Sequence, residues 1–215
     1  MQNIFSYDSK LTQLFLYVAD LMILNVVYIV CCIPVFTIGA AQAGLCSGLQ
    51  ALREHKGYTL KAFRDGFRSG FGRITAAWSI PSALILLAAY LLIPVMTLGQ
   101  AGVPGAPTWM LIVALALIAL YQTILPIFHA RYDCPFGLLL RNALYFVFAE
   151  PIRCILATVL VWFPLVLFLV QTNLFMHATP FWFLLYYSTA FMLCNWLMKK
   201  PFQQLEERME TEENE

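Results

Sequence analysis

A carboxylate inside an apolar run is the first feature of this chain that could do chemistry. Asp20 lies within Leu11 to Ile33, a stretch otherwise almost free of charge. An ionised side chain there is costly in lipid, so it is expected to face protein or water and to have a partner. Two roles follow: a proton or cation coupling group, or a structural contact to Gln122 or Asn195. Asn25 follows five residues later, about 140° around a helix, so the two do not share one face. Gln42, Gln122 and Asn195 are placed in other apolar stretches, where amides commonly bond neighbouring helices. His55, His129 and His177 are isolated, none with a ligand-type residue at i+4. The six cysteines show no CxxC and no Cys/His ligand spacing; Cys31, Cys32, Cys46, Cys154 and Cys194 sit in apolar runs as small packing residues. Cys134 falls in a loop. The chain has no GxSxG, HExxH or P-loop and no paired carboxylates in an apolar run, and Glu150 and Arg153 are spaced to pair with each other. The roles that catalysis needs are unfilled, so the expectation is no enzyme, no metal and no cofactor.

The elements that must carry these residues follow from composition. Of 215 residues, 61% are hydrophobic and 12% charged, with mean hydropathy +0.74. A water-soluble domain carries roughly 25% charged residues, so most of this surface is expected to meet lipid. The net charge of +1 offers no case for nucleic acid. The N-terminal apolar stretch is too long for a signal-peptide core and lacks the basic lead-in and cleavage pattern, so it is expected to be retained.

The predicted fold is all-α, a polytopic transmembrane helical bundle of about six spans. They lie near 11–33, 35–52, 76–98, 108–130, 151–170 and 181–198, each near the length a bilayer requires. The second is the weakest: less hydrophobic, with Gly39, Ala43, Ser47 and Ala51 recurring every fourth residue and Ala40, Gly44 and Gly48 one position on. Such spacing lets helix backbones approach closely. A half-buried cytoplasmic helix is the alternative there, which would leave five spans. Pro34, Pro81, Pro94 and Pro126 are expected to end or kink helices. The segments divide into an N-terminal hairpin (1–57), two units each with a short interfacial helix and a membrane hairpin (58–130 and 131–200), and an acidic, solvated tail (201–215).

Thr59 to Arg73, TLKAFRDGFRSGFGR, predicts a short amphipathic helix. Leu60, Phe63, Phe67, Phe71 and Ile74 fall in one arc, while Lys61, Arg64, Asp65, Arg68 and Arg73 take the rest. It is expected along the cytoplasmic surface as an anchor and as a docking face built from Lys61, Phe63, Arg64, Asp65, Phe67, Arg68 and Phe71. A second interfacial or re-entrant helix is expected over Gly137–Phe148. Phe63-Arg64-Asp65-Gly66-Phe67 aligns with Leu140-Arg141-Asn142-Ala143-Leu144 at an offset of 77 residues, the pattern of two parallel units. Lys and Arg concentrate at 53–73, 131–153 and the C-terminal end, and 99–107 and 171–180 have none. The positive-inside rule puts the basic loops and the C-terminus in the cytoplasm.

Taken together, Ala19-Asp20, Asn25, the Pro34, Thr37 and Gly39 turn, the Gly57-Tyr58 linker, KAFRDGFRSGF and Arg141-Asn142-Ala143-Leu144 resemble the YesL-like family of bacterial integral membrane proteins, a domain of unknown function. The resemblance spans nearly the whole chain and is most specific in the first block. It implies a place in the bacterial plasma membrane and, because such genes lie beside carbohydrate ABC importers and two-component sensors, a role near sugar uptake. Expected partners are membrane lipid and importer permease subunits. Lys61-Ala62-Phe63-Arg64-Asp65-Gly66 echoes the permease helix that contacts the ATPase, although its Asp-Gly is one residue early and a Lys stands where that motif has Glu. The implied function is a non-enzymatic accessory or regulatory subunit; the alternative is a stand-alone transporter or channel coupled through Asp20.

Overall fold

The computed structural model describes residues 10–54, 57–98, 106–132 and 135–213. His55, Lys56, Cys134 and most of the uncharged 99–107 turn lie outside these. Among the described residues, eleven α-helices run in order: α1 (Lys10–Cys31), α2 (Ile38–Arg53), α3 (Thr59–Gly70), α4 (Arg73–Leu98), α5 (Ala106–Arg131), α6 (Phe136–Ala149), α7 (Pro151–Val170), α8 (Thr172–His177), α9 (Thr179–Phe181), α10 (Tyr187–Leu197) and α11 (Lys199–Glu213). A 3-10 turn, Val35–Thr37, joins α1 to α2, and a π-helical segment, Trp182–Tyr186, leads into α10. No strand occurs among the described residues.

Four helical stretches there are long and apolar enough to cross a membrane: Leu11–Cys31, Val35–Arg53, Trp109–Arg131 and Pro151–Phe168. The fold is an all-α bundle of membrane helices. Phe15, Leu86, Tyr90, Met110, Ile152 and Trp196 stand largely exposed on its outside, a surface that water would not tolerate and lipid would.

The second stretch differs from the others. It is 72% buried within the protein, against 22% for Leu11–Cys31 and for Pro151–Phe168. With the 3-10 turn before it the stretch is 19 residues long, about 29 Å at 1.5 Å per residue, close to a ~30 Å hydrocarbon core. Protein covers it where lipid covers the others, so it is the axle of the bundle, packed by α1, α3, α4, α5 and α10.

Small residues make that possible. Helix α3 runs back along α2: Gly48 faces Thr59 and Phe63, Gly44 faces Phe63 and Phe67, and Ala43 faces Gly66 and Gly70. Beyond the end of α3, Gly39 faces Ile74 and Trp78 of α4. A Cβ on Gly44 would lie 2.8 Å from the Phe63 carbonyl oxygen, and one on Gly39 2.7 Å from Trp78 Cβ. A Cβ on Gly66 would collide with Ser47. Ser47 itself turns inward, its Oγ donating to the Ala43 carbonyl at 3.0 Å.

The buried side of α3 is therefore only in part the aromatic stripe of its sequence. Phe63, Gly66 and Gly70 are buried, while Leu60 and Phe71 are exposed. Glycines belong to the inner face because α2 leaves no room for larger groups. Helix α6 begins 77 residues after α3, at Phe136 against Thr59, and Ala143 and Val147 are buried where the offset places Gly66 and Gly70. Each short helix packs on the long helix before it, α3 on α2 and α6 on α5.

The C-terminal segment is anchored at its start, with Gln203, Gln204 and Glu207 exposed. Residues Lys199–Glu213 form α11, and Phe202 is 1% exposed. Its ring stacks on Phe146 at 5.1 Å and meets Phe128 edge-on at 4.9 Å. One aromatic residue in a polar run suffices to pin the segment, because burying a phenylalanine contributes roughly 1.5–3 kcal/mol.

Substituting leucine at Gly44 is expected to destabilise the protein by about 1–3 kcal/mol, since overpacking meets a backbone atom that cannot yield. A Cβ on Gly72 has nothing within 4 Å, so Gly72→Ala is expected within about 0.5 kcal/mol of the parent. Thermal unfolding of detergent-purified protein checks both, and equal losses would contradict the close packing.

Candidate functional site

Prolines interrupt α4, α5 and α7 at Pro81, Pro126 and Pro164, and a π-helical segment precedes α10. Pro164 in α7 has no N–H, so the Leu160 carbonyl four residues earlier lacks its helical partner. The Tyr186 hydroxyl donates to that carbonyl at 2.6 Å. In α4, Pro81 leaves the Ala77 carbonyl without its helical partner; one residue on, Gln122 of α5 donates Nε2 to the Trp78 carbonyl at 3.0 Å and also to Ser82 Oγ. The π segment widens the turn before α10, and Asn25 fills it. Fully buried, its Nδ2 donates to the carbonyls of Trp182 at 3.0 Å and Phe183 at 2.7 Å, and its Oδ1 accepts from the Ser188 N–H at 2.9 Å. Side chains from neighbouring helices thus satisfy backbone groups that irregular turns release, the condition for such turns at membrane depth.

These irregular turns border one cavity of about 410 Å³. Its walls include Tyr28, Gln42, Trp78, Trp162, Trp182 and Tyr187. Tyr28 and Tyr187 pack with ring centroids 5.2 Å apart, and Trp182 stacks on Phe175 at 6.0 Å. Trp162 donates Nε1–H to Thr123 Oγ1 at 3.3 Å, and Trp182 donates to the Phe175 carbonyl at 3.2 Å. Trp78 Nε1 and Gln42 Oε1, both buried, have no hydrogen-bond partner among the described residues. No charged side chain lines this space.

Asp20 is elsewhere. It is half-buried on α1, bonds to no described residue, and lines neither the aromatic cavity nor the polar one below. Asn195 donates Nδ2 to the Phe191 carbonyl of its own helix at 2.9 Å, so the structure does not join it to Asp20. Gln122 bridges α5 and α4 as its type suggests. Of the α3 face, Lys61, Arg64, Asp65, Arg68 and Phe71 are exposed and Phe67 is half-buried, whereas Phe63 is 4% exposed and closed off by α2. The structure brings Gln42, Trp78 and the π segment together; sequence reasoning noted Gln42 as a bonding amide but gave no place to Trp78 or Trp182. Prolines paired with distant Tyr, Gln and Asn in apolar runs were the available signal.

A second space, about 300 Å³ and polar, lies where α2, α5 and α10 end, lined by Arg53, Glu54, Arg131, Asn195 and Glu206. Arg131 Nε meets Glu206 Oε1 at 3.0 Å, and the Tyr132 hydroxyl donates to the same oxygen at 2.9 Å. The hydrogen bond from Arg131 and that from Tyr132 hold the Glu206 carboxyl below its ordinary range, against a smaller opposing effect of burial. Burial first, then Glu206, pushes the Tyr132 phenol up to about 12. No group of three or more His, Cys, Asp or Glu among the described residues could hold a metal ion.

Residues 21–93 match the family described as a protein of unknown function, DUF624. The matched stretch contains Asn25, Gln42, the α2–α3 pair and Trp78. No curated protein and no solved structure matches the chain.

Replacing Asn25 by Leu strands two carbonyls and an N–H inside the bundle, at about 1–3 kcal/mol for each buried group left unpaired. The expected outcome is a large fall in melting temperature, whereas Tyr186→Phe loses one bond and about 1 kcal/mol. Calorimetry or fluorescence melts order the two. Because the folded Glu206 pKa is depressed, its contribution is present above the unfolded value and is lost as pH falls through the folded one. Half-exposed pairs of this kind contribute at most about 1 kcal/mol. Limited proteolysis of α11 is therefore expected to be unchanged from neutral pH to the upper carboxylate range and to quicken modestly below it.

Proposed function

We propose that this chain is a non-enzymatic accessory or regulatory subunit that packs beside the permease subunits of a carbohydrate ABC importer. In this reading it resides in the bacterial plasma membrane, crosses it six times, and keeps its C-terminus in the cytoplasm. The observation that carries the reading is the mounting of α3. One side is locked to α2 by glycine contacts, and the other presents Lys61, Arg64 and Arg68, all exposed and with no ion pair to a described residue. A rigid, uncompensated basic face suits an acidic partner surface or anionic headgroups at the inner leaflet. The basic loops at 53–73 and 131–153 support that orientation through the positive-inside rule. The small residues of α2 are consumed inside the molecule, so contact with a permease falls to α3 and to the exposed apolar helices.

The aromatic cavity favours a second reading, a stand-alone carrier or channel. Coupling through Asp20 receives little support from it, since Asp20 does not reach that space.

Purification of the tagged full chain from its native membrane in mild detergent is the test. Importer permease subunits are expected in stoichiometric amount, and Arg64→Glu with Arg68→Glu is expected to release them while leaving the melting temperature within about 0.5 kcal/mol equivalence, as for exposed positions. A homo-oligomer alone, together with solute uptake by the purified protein in liposomes, would reverse the order of the two readings.

A further inference from the structure

We propose that the groove between α4, α5 and α6 binds one anionic phospholipid, with an acyl chain along the groove and the phosphate on Arg141. The inference is independent of any importer partner. The groove measures about 500 Å³, within the roughly 300–1,000 Å³ of small-molecule sites. One wall is a single face of α6, where Gly137, Leu140, Arg141 and Leu144 recur at helical spacing. The other side of α6, Leu139, Ala143, Phe146 and Val147, is buried in the bundle. The facing wall comes from α4 at Pro81 and from α5 at Leu117 and Tyr121. Among the described residues that line the groove, Arg141 alone is charged.

The setting of that arginine calls for an anion. It is exposed, and it has neither a hydrogen bond nor an ion pair to a described residue. Around it on the outside of α6, Leu138, Leu144, Tyr145 and Phe148 are exposed as well, a surface suited to lipid. A guanidinium on such a helix is costly unless it reaches the headgroups or a counter-charge. The chain supplies none nearby: Glu150, the closest acid in sequence among the described residues, is held by Arg153 at 3.3 Å. In the first unit an aspartate follows the equivalent arginine, Arg64-Asp65, whereas Asn142 follows Arg141. A phosphate accepts two parallel bonds from a guanidinium, and a lipid phosphate is the anion that a lipid-facing helix meets. The groove decides the rest of the ligand. Apart from the Tyr121 hydroxyl its walls beside Arg141 are apolar, so a free phosphate would leave them bare and an acyl chain covers them. A headgroup of net negative charge is preferred to a choline headgroup, whose ammonium would stand beside the guanidinium.

Native mass spectrometry of the delipidated full chain in detergent, titrated with phosphatidylglycerol or with phosphatidylcholine, tests the site. One saturable phosphatidylglycerol is expected, held more tightly than phosphatidylcholine. Arg141→Gln is expected to weaken it about tenfold or more, the worth of a hydrogen bond to a charged group. Arg153→Gln removes an equal charge twelve positions on and is expected to leave the lipid in place. Gly137→Trp fills the groove from α6, at a position where a Cβ has nothing within 4 Å; it is expected to abolish the saturable lipid while Arg141 is intact. Gly137 and Arg141 are both exposed, so the melting temperatures of these variants without lipid are expected to match the parent's. That separates loss of lipid from loss of fold, and should one variant fail to fold, the other carries the test. Soluble glycerol phosphate, which has the anion and no chain, is expected not to compete. Absence of a saturable lipid, equal binding of the two phospholipids, equal losses in Arg141→Gln and Arg153→Gln, retention of the lipid in Gly137→Trp, or displacement by glycerol phosphate would each overturn the site.

Discussion

The bundle depends on how closely α2 and α3 approach, and that closeness is set by what is missing between them. With hydrogen at Gly44 and Gly66, backbone meets backbone and side chain meets backbone across the pair. Between helices at membrane depth the hydrophobic effect gives little net drive, since lipid is as apolar as a side chain; contact area must come from van der Waals packing. Glycine contacts supply that area by letting whole backbones touch. Once α2 and α3 form one unit, α1, α4, α5 and α10 can wrap it, and the least hydrophobic stretch becomes the best covered.

A second rule operates around that centre. Pro164 and the π segment release backbone carbonyls that polar side chains from other helices meet, Tyr186 for Leu160 and Asn25 for Trp182 and Phe183, and Gln122 bonds the Trp78 carbonyl near Pro81. The irregular turns give the helices room to part, and the cavity opens where they do. Fixing the backbone with side chains from other helices also couples the elements, so that a shift of the π segment would be felt by α1 directly. Gln42 and Trp78, like Thr75, Thr158 and Ser188, each keep one buried polar atom without a partner among the described residues.

The ends of α2, α5 and α10 obey ordinary aqueous physics. Arg131 lies in the last turn of α5, where a cation complements the helix dipole, and it reaches Glu206 on α11. Phe202 supplies the apolar anchor beside that pair, with the Arg131 guanidinium 4.8 Å from its ring centroid. Hydrophobic burial holds α11 and the ion pair orients it.

Helix class, membrane environment, helix positions and the two short amphipathic segments were legible in the residues, because length, hydropathy and 3.6-residue periodicity are local properties of a chain. The small-residue spacing of α2 announced a close contact, and Asn25 and Gln122 announced hydrogen bonds, without naming a partner for any of them. Partners are a matter of tertiary structure. Periodicity put Leu60, Phe63, Phe67 and Phe71 on one arc without saying what would cover it; steric fit against α2 buried Phe63 with Gly66 and Gly70 and left Leu60 and Phe71 outward. Likewise, a carboxylate in an apolar run draws the eye to Asp20, yet the space a ligand could enter formed at Gln42 and Trp78. Whether a polar atom is satisfied depends on atoms more than thirty residues away in the chain, as with Trp78 and Gln122, and only the folded arrangement decides it.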